Sequence, residues 1–118
     1  MRDLDALSQL VQSFCDDRDW GQYHNPKDLA IGVSTEANEL LDLFRFKSDI
    51  DMRNMMTDPL QRKAIGQELA DVFYFLLRFS QLYSFDLDIE LHKKMFQNNE
   101  KYPLEKSKGK NKKYNEIS

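Results

Sequence analysis

The chain has 118 residues, enough for one hydrophobic core and too few for two domains of typical size. Hydrophobic residues make up 41% and charged residues 31%, which indicates a soluble globular protein, and the longest apolar run, residues 72–77, is far too short to span a bilayer. The single cysteine excludes an intrachain disulfide and, with no signal-peptide pattern at the N-terminus, predicts a cytoplasmic location.

Charge is distributed unevenly along the chain. Residues 1–103 hold 12 Lys and Arg against 18 Asp and Glu, whereas residues 104–118 hold five Lys and two Glu. The acidic body argues against nucleic acid as the main partner, because binding to a phosphate backbone depends on basic side chains. The basic segment has almost no apolar content. We therefore predict one helical domain over residues 1–103 and a disordered tail over residues 104–118.

Four helices are predicted from the helical spacing of apolar residues and from start signals. Asn25 with Pro26, and Asp58 with Pro59, each supply a capping side chain followed by a proline that fits the first turn. The segment 47–58 is predicted to be a polar connection, and no stretch has strand-like alternation, so the predicted fold class is all-α. The predicted helices span about 3–19, 25–47, 58–83 and 86–102.

Two pairs of acidic residues lie on the apolar faces of the second and third predicted helices. On a wheel of 100° per residue, Glu36 and Glu39 fall on the same stripe as leucines and a valine, and Glu68 and Asp71 do the same on the next helix. Packing of these two faces would bring four carboxylates together, since residues three apart on a helix are neighbours. The polar side of the third helix is expected to consist of Lys63, Gln67, Tyr74 and Gln81.

Gathering four carboxylates in a core indicates bound cations. An ionised carboxylate loses on the order of several kcal/mol on leaving water, and like charges add to that loss. The only basic residue near these stripes is Lys47, which cannot neutralise four acids. A lone Glu-x-x-Glu is usually a solvated face, but two such pairs on adjacent apolar stripes favour a metal site. Oxygen-only ligands suit Mg²⁺, or Mn²⁺ in its place.

The chemistry of such a site is hydrolysis of a polyphosphate or phosphoester, because bound Mg²⁺ keeps open positions for water and phosphates. The four glycines are scattered, so neither a Walker motif nor a dinucleotide-binding loop is available. Aromatic and polar residues that suit a nucleotide base occur in three segments, although core packing or a surface role would also explain each of them. These residues are Trp20, Tyr23 and His24; Phe44, Phe46 and Lys47; and Asn98, Lys101 and Tyr102.

Several segments resemble a known family. "EANE" and "ELAD", separated by 28 residues, look like the paired acidic motifs of the MazG-like all-α nucleoside triphosphate pyrophosphohydrolases. "RDWGQYHNPKDL", "GVSTEANELLDLFRFKSD", "QELADVFYFLL" and "KMFQNNEKYP" resemble the dCTP pyrophosphatase branch in order and spacing. The resemblance covers residues 4–103. It departs from the dCTP-preferring relatives at Phe46, where they have Trp, and at Val11, where they have His, so the preferred base stays open.

The resemblance implies a helical bundle that uses Mg²⁺ to cleave nucleoside triphosphates to the monophosphate and pyrophosphate. It implies a homo-dimer or homo-tetramer, which agrees with a third helix that is apolar nearly all round. The favoured function is clearance of a deoxynucleoside triphosphate, dCTP or a modified one, and the alternative is a non-catalytic helical module that binds nucleotide or metal. The implied metal ligands and catalytic acids are Glu36, Glu39, Glu68 and Asp71. The implied nucleotide-binding residues are Trp20, His24, Phe46, Lys47, Asn98, Lys101 and Tyr102.

Overall fold

A computed structural model describes residues 3–110, and these residues form helices joined by short connections. They contain no strand, which confirms the predicted all-α class. None of their helices combines the length and the hydropathy that a membrane span requires. In chain order the elements are α1 (Asp3–Asp17), a short 3-10 helix (Trp20–Tyr23), α2 (Pro26–Phe44), α3 (Asp49–Met55), α4 (Pro59–Leu82), α5 (Leu87–Lys101) and α6 (Leu104–Ser107).

The predicted start signals of α2 and α4 form the expected caps. The Asn25 side-chain oxygen accepts a hydrogen bond from the Asp28 N–H at 2.8 Å, and the Asp58 carboxylate accepts one from the Gln61 N–H at 3.0 Å. In both cases a proline occupies the first turn, where its missing N–H costs nothing. The capping side chains therefore determine where α2 and α4 begin.

The segment predicted to be a polar connection, residues 47–58, contains α3. The Ser48 hydroxyl accepts from the Asp51 N–H at 3.1 Å, and the Asp51 carboxylate accepts from the Ser48 N–H at 3.2 Å. This reciprocal capping box starts a helix without any need for an apolar stripe. Only Met55 is buried on α3, so the helix is too short and too polar for hydrophobic spacing to reveal it.

The described chain divides into two units, residues 3–84 and residues 85–110, and each is described by itself. In the second unit α5 begins after Asp86, whose side chain accepts from the Ile89 N–H at 3.2 Å. The predicted tail begins with the single turn of α6, and residues 111–118 lie outside the described residues. The domain from 1 to 103 and the disorder of the tail stay predictions.

In the first unit, α4 packs against both α2 and α1. A Cβ atom on Gly32 of α2 would lie 2.4 Å from a ring carbon of Phe75 on α4, so the absence of a side chain at Gly32 is what lets the two helices approach this closely. Gly32 faces Phe75, whereas Glu39, further along α2, faces the earlier Glu68 on α4. The two helices are therefore antiparallel.

The side of α4 that was expected to be polar is packed against α1 in its C-terminal half. The Tyr74 ring lies edge-on to Phe14, with 6.2 Å between centroids, and its hydroxyl is 3.2 Å from the Cys15 sulfur. The Gln81 amide donates to the Ser8 carbonyl at 2.8 Å and to its hydroxyl at 2.9 Å. The prediction that Tyr74 and Gln81 lie on the polar surface of α4 is wrong. Helical spacing within α4 does not reveal that residues of α1 contact their polar groups.

The Gly32 contact yields a paired prediction. Gly32→Ala places a methyl group within the Phe75 ring and is expected to destabilise the fold by about 1–3 kcal/mol, as overpacking does. Gly66→Ala, also inside a helix, meets no atom within 4 Å and should stabilise by roughly 0.5–1 kcal/mol through helix propensity. Urea unfolding of both variants measures the difference. Equal stabilisation by the two substitutions would contradict the close approach of α2 and α4.

Candidate metal centre

Three carboxylates converge where α2 and α4 pack. Glu36 and Glu39 on α2 and Glu68 on α4 each offer one oxygen, and these oxygens lie within 4.8 Å of one another. Glu36 and Glu39 lie on one face of α2 because residues three apart are neighbours on a helix. The antiparallel packing beside Gly32 brings Glu68 to the same place. We call these three residues the carboxylate cluster.

Asp71, the fourth predicted ligand, lies three residues after Glu68 on α4 and is exposed. Its oxygens do not belong to the group that meets within 4.8 Å. Its negative charge nevertheless raises the pKa of Glu36 and of Glu68, although burial is the larger cause for both. Asp71 therefore borders the carboxylate cluster, and its role as a ligand stays a prediction.

The two acids at the centre of the cluster carry polar atoms without a partner. Glu36 and Glu68 are half-buried, and the Oε2 atom of each is shielded from water and accepts no hydrogen bond. Glu39 is exposed, so the expectation that all the acids face the core holds only for Glu36 and Glu68. A buried polar atom with no partner is costly, and a cation between these oxygens would satisfy both.

Electrostatics in the cluster are unfavourable without a cation. Burial, contact with the Glu39 carboxyl group and the nearby negative charges raise the pKa of Glu36 to about 7. Burial and the same Glu39 group also raise the pKa of Glu68. Among residues 3–110, no Lys, Arg or His forms an ion pair with any acid of the cluster or with Asp71. This set of oxygen donors fits a hard divalent ion such as Mg²⁺ or Mn²⁺.

Two predicted nucleotide-binding residues lie in the segment between α1 and α2. Trp20 begins the 3-10 helix and is 39% exposed, with its ring edge-on to Phe14 at a centroid distance of 5.4 Å. His24 directly follows that helix as its C-cap, and its Nδ1 atom accepts a hydrogen bond from Arg78 Nε at 2.9 Å. Trp20 therefore presents ring surface to solvent, whereas His24 is tied to a buried side chain of α4.

Two more predicted residues follow the end of α2. Phe46 is 95% exposed and has a φ of 62°, in the left-handed region. Lys47 lines a cavity of about 220 Å³ together with side chains of α3 and α4, which include Asn54 and Gln61. Gln61 lies about two helical turns before Glu68 on α4, so this cavity lies near the start of α4.

The remaining predicted residues lie in the second unit. The Asn98 amide approaches the Met95 sulfur at 3.7 Å, and the Asn98 carbonyl accepts from the Tyr102 N–H at 2.8 Å. Lys101 occupies the last turn of α5. The role of Asn98, Lys101 and Tyr102 in binding the nucleotide stays a prediction.

Arg78 is a buried residue that was not among the predicted site residues. Its side chain is 2% exposed and links the segment before α2 to the end of α4. A signal was present, because Arg78 is the only charged residue between Asp71 and Asp86, in a stretch rich in aromatic and aliphatic residues. A charge in such a stretch is buried with partners far more often than it is left alone.

The raised pKa of Glu36 gives a pH prediction for the metal-free protein. Its folded value of about 7 lies above the usual 4.5, so the folded state holds a proton that the unfolded state releases between these values. The stabilisation of the fold by protonated Glu36 is complete below pH 4.5 and is lost as the pH rises through 7. With EDTA present, the melting temperature of the wild type relative to Glu36→Gln should fall between pH 5 and pH 8.

Addition of Mg²⁺ should raise the wild-type melting temperature more at pH 8 than at pH 5, because protons compete with the metal for the same oxygens. Asp42→Asn is the control, since Asp42 lies on the exposed side of α2 beside Arg45. Its melting temperature should follow the wild-type pH profile. A wild-type protein that gains stability with pH relative to Glu36→Gln would count against a strained carboxylate cluster.

Comparisons with known proteins show which proteins this chain resembles. The model of the MazG-like family matches residues 31–117. dCTP pyrophosphatase 1 of Rattus norvegicus is 32% identical over 97% of this chain and 67% of its own length, and that of Homo sapiens is 31% identical over the same shares. The crystal structure of a pyrophosphatase from Archaeoglobus fulgidus superposes with a TM-score of 0.80 at 29% identity, over 87% of this chain and 94% of that chain.

Proposed function

This chain belongs to the MazG-like family, and we propose that it hydrolyses nucleoside triphosphates, dCTP among them, to the nucleoside monophosphate and pyrophosphate. The names of its relatives, dCTP pyrophosphatase 1 and pyrophosphatase, support this activity. The observation that carries the proposal is the carboxylate cluster, in which two shielded oxygens have no partner and no basic residue of the described chain balances the charge. Clearance of unwanted nucleotides from the pool is the role that fits this chemistry.

Glu36, Glu39 and Glu68 would hold a divalent ion, with Asp71 beside them as a further ligand. When bound, Mg²⁺, or Mn²⁺ in its place, supplies positive charge for the phosphate oxygens and makes a coordinated water more acidic. The four acids also offer a carboxylate oxygen that accepts the proton of the attacking water. Oxygen ligands alone, without His or Cys, suit this phosphate chemistry better than redox chemistry.

The rest of the substrate would be held by aromatic and basic side chains. The exposed rings of Trp20 and Phe46 suit stacking on a nucleotide base. Lys47, which lines the cavity beside α3 and α4, offers a positive charge to a phosphate group. Asn98 and Lys101 on α5, with Tyr102 directly after it, are proposed as further nucleotide-binding residues.

We also propose that the protein is a homo-oligomer. The face shared by α1 and α4 is apolar and exposed: a groove of about 240 Å³ there is lined by Leu7, Leu10, Val11, Ala70, Phe73, Tyr74 and Leu77. A face of this kind on a small domain marks a protein contact. A second copy related by two-fold symmetry would cover it with the same residues.

The catalytic proposal is tested with Glu68→Gln. Removal of one ligand charge should lower pyrophosphate release by roughly 10²–10³-fold, since electrostatic stabilisation of the reaction is lost. The assay uses a panel of nucleoside triphosphates with Mg²⁺ and identifies the products by ion-exchange chromatography. Glu90→Gln, an exposed residue in the first turn of α5, is the matched control and should keep wild-type activity. A non-catalytic module would bind nucleotide with Mg²⁺ and release pyrophosphate from none of the panel.

The oligomer is tested with Leu10→Asp, which places a charge in the exposed groove, where Leu10 is 69% exposed. We expect a shift from dimer or tetramer to monomer in sedimentation velocity. Leu60→Asp, at an 80% exposed leucine in the first turn of α4, is the control and should leave the oligomer intact. A monomeric wild type at micromolar concentration would refute the proposal.

A further inference from the structure

Arg78 is a buried cation whose observed partners are all neutral. Its side chain is among the largest that the described fold buries completely, at 2% exposure. Nε donates to His24 Nδ1 at 2.9 Å, and Nη1 donates to the Gln81 side-chain oxygen at 2.8 Å. Within residues 3–110, Arg78 forms no ion pair with a carboxylate. Burial of a guanidinium without an opposite charge is costly, so its geometry needs an explanation beyond packing.

The Arg78 bond fixes the protonation of His24. An arginine is always a donor, so His24 Nδ1 must accept, and the ring proton must lie on Nε2. Burial and the positive charge of Arg78 lower the pKa of His24, which keeps the ring neutral. The free side of the imidazole is therefore an N–H donor.

Arg78 also lies against the backbone of the 3-10 helix. A Cβ atom on Gly21 would be 3.5 Å from Arg78 Nη2, so this end of the guanidinium lies close to the residue that follows Trp20. The 3-10 helix is only four residues long and is entered through Asp19, whose φ of 54° lies in the left-handed region. A segment this short has little internal stability, and its position is set by what it contacts.

Those contacts lie at the two ends of the segment. Trp20 meets the Phe14 ring at the start, and His24 meets Arg78 at the end. Gln81 fixes the position of the guanidinium. Its side-chain oxygen accepts a hydrogen bond from Arg78, and its side-chain nitrogen donates one to Ser8 on α1. One chain of hydrogen bonds thus runs from α1 through α4 to His24, two residues before α2 begins.

We propose that Arg78 is a positioning residue for nucleotide binding, which holds His24 as the Nε2–H tautomer and keeps the 3-10 helix that carries Trp20 in place. This assignment rests on the proposed function, in which Trp20 and His24 contact the nucleotide. Arg78 itself acts through His24 and Gly21. Side chains that are locked by such a second layer bind without a further loss of conformational freedom.

The first test uses the wild-type protein. It has only two histidines, so a long-range ¹H–¹⁵N spectrum resolves the His24 ring. At pH 7 we expect a neutral imidazole with the proton on Nε2. A proton on Nδ1, or an imidazolium, would overturn the proposal whatever any variant does.

The second test uses Arg78→Lys and Arg78→Met, with Arg53→Met at an exposed position of α3 as the matched control. The affinity for a dCTP analogue with an NH bridge between the α- and β-phosphates, measured with Mg²⁺, should weaken about tenfold in the Arg78 variants, the equivalent of one lost hydrogen bond. KM for dCTP should rise by a similar factor, with kcat within about twofold. Emission from Trp20, the sole tryptophan, should shift.

A purely structural role predicts a different pattern. In that case the variants would unfold at lower denaturant concentration, while the KM and the Trp20 emission of the folded protein would keep their wild-type values, and the proposal would be wrong. Arg78→Lys preserves the positive charge and the aliphatic part of the side chain, so the same measurements can be made on this variant if Arg78→Met does not fold. A wild type that releases no pyrophosphate would refute the proposed function alone, because the tautomer, the emission and the analogue affinity are measured without turnover.

Discussion

The close approach of three carboxylates between α2 and α4 is the constraint on which the candidate site depends. The missing side chain at Gly32 lets α2 approach the Phe75 ring, and that same approach brings the acids of α2 within 4.8 Å of Glu68. Tight packing and charge repulsion therefore arise from one contact. A divalent ion between the carboxylates would replace their mutual repulsion with attraction to the cation. Without such an ion, the like charges destabilise the packing of α2 against α4.

Helix α4 connects the separate parts of the candidate site. One face carries Glu68 toward α2, and another packs Tyr74 against α1. Near its end, Arg78 reaches the segment that carries Trp20. Glu68, a proposed metal ligand, and the contact that holds the segment of Trp20, a proposed base-stacking residue, thus lie on the same helix.

The sequence predicted those features that depend on one helix at a time. The caps at Asn25 and Asp58 and the acid pairs are local, so spacing and start signals were sufficient. Helix α3 was missed because a capping box forms it with little apolar burial. The surroundings of Tyr74 and Arg78 were missed because they depend on which helix covers α4, and that information lies in tertiary contacts rather than in the period of any single segment.

Phe46 illustrates how such a site resists improvement by simple engineering. A bulky residue at a φ of 62° costs about 1 kcal/mol or more relative to glycine, and a ring that is 95% exposed recovers almost none of this through burial. Selection for heat resistance alone would replace Phe46 early, and with it the exposed ring that is proposed to stack on the nucleotide base. Thermostability and the proposed stacking role therefore favour different residues at this position.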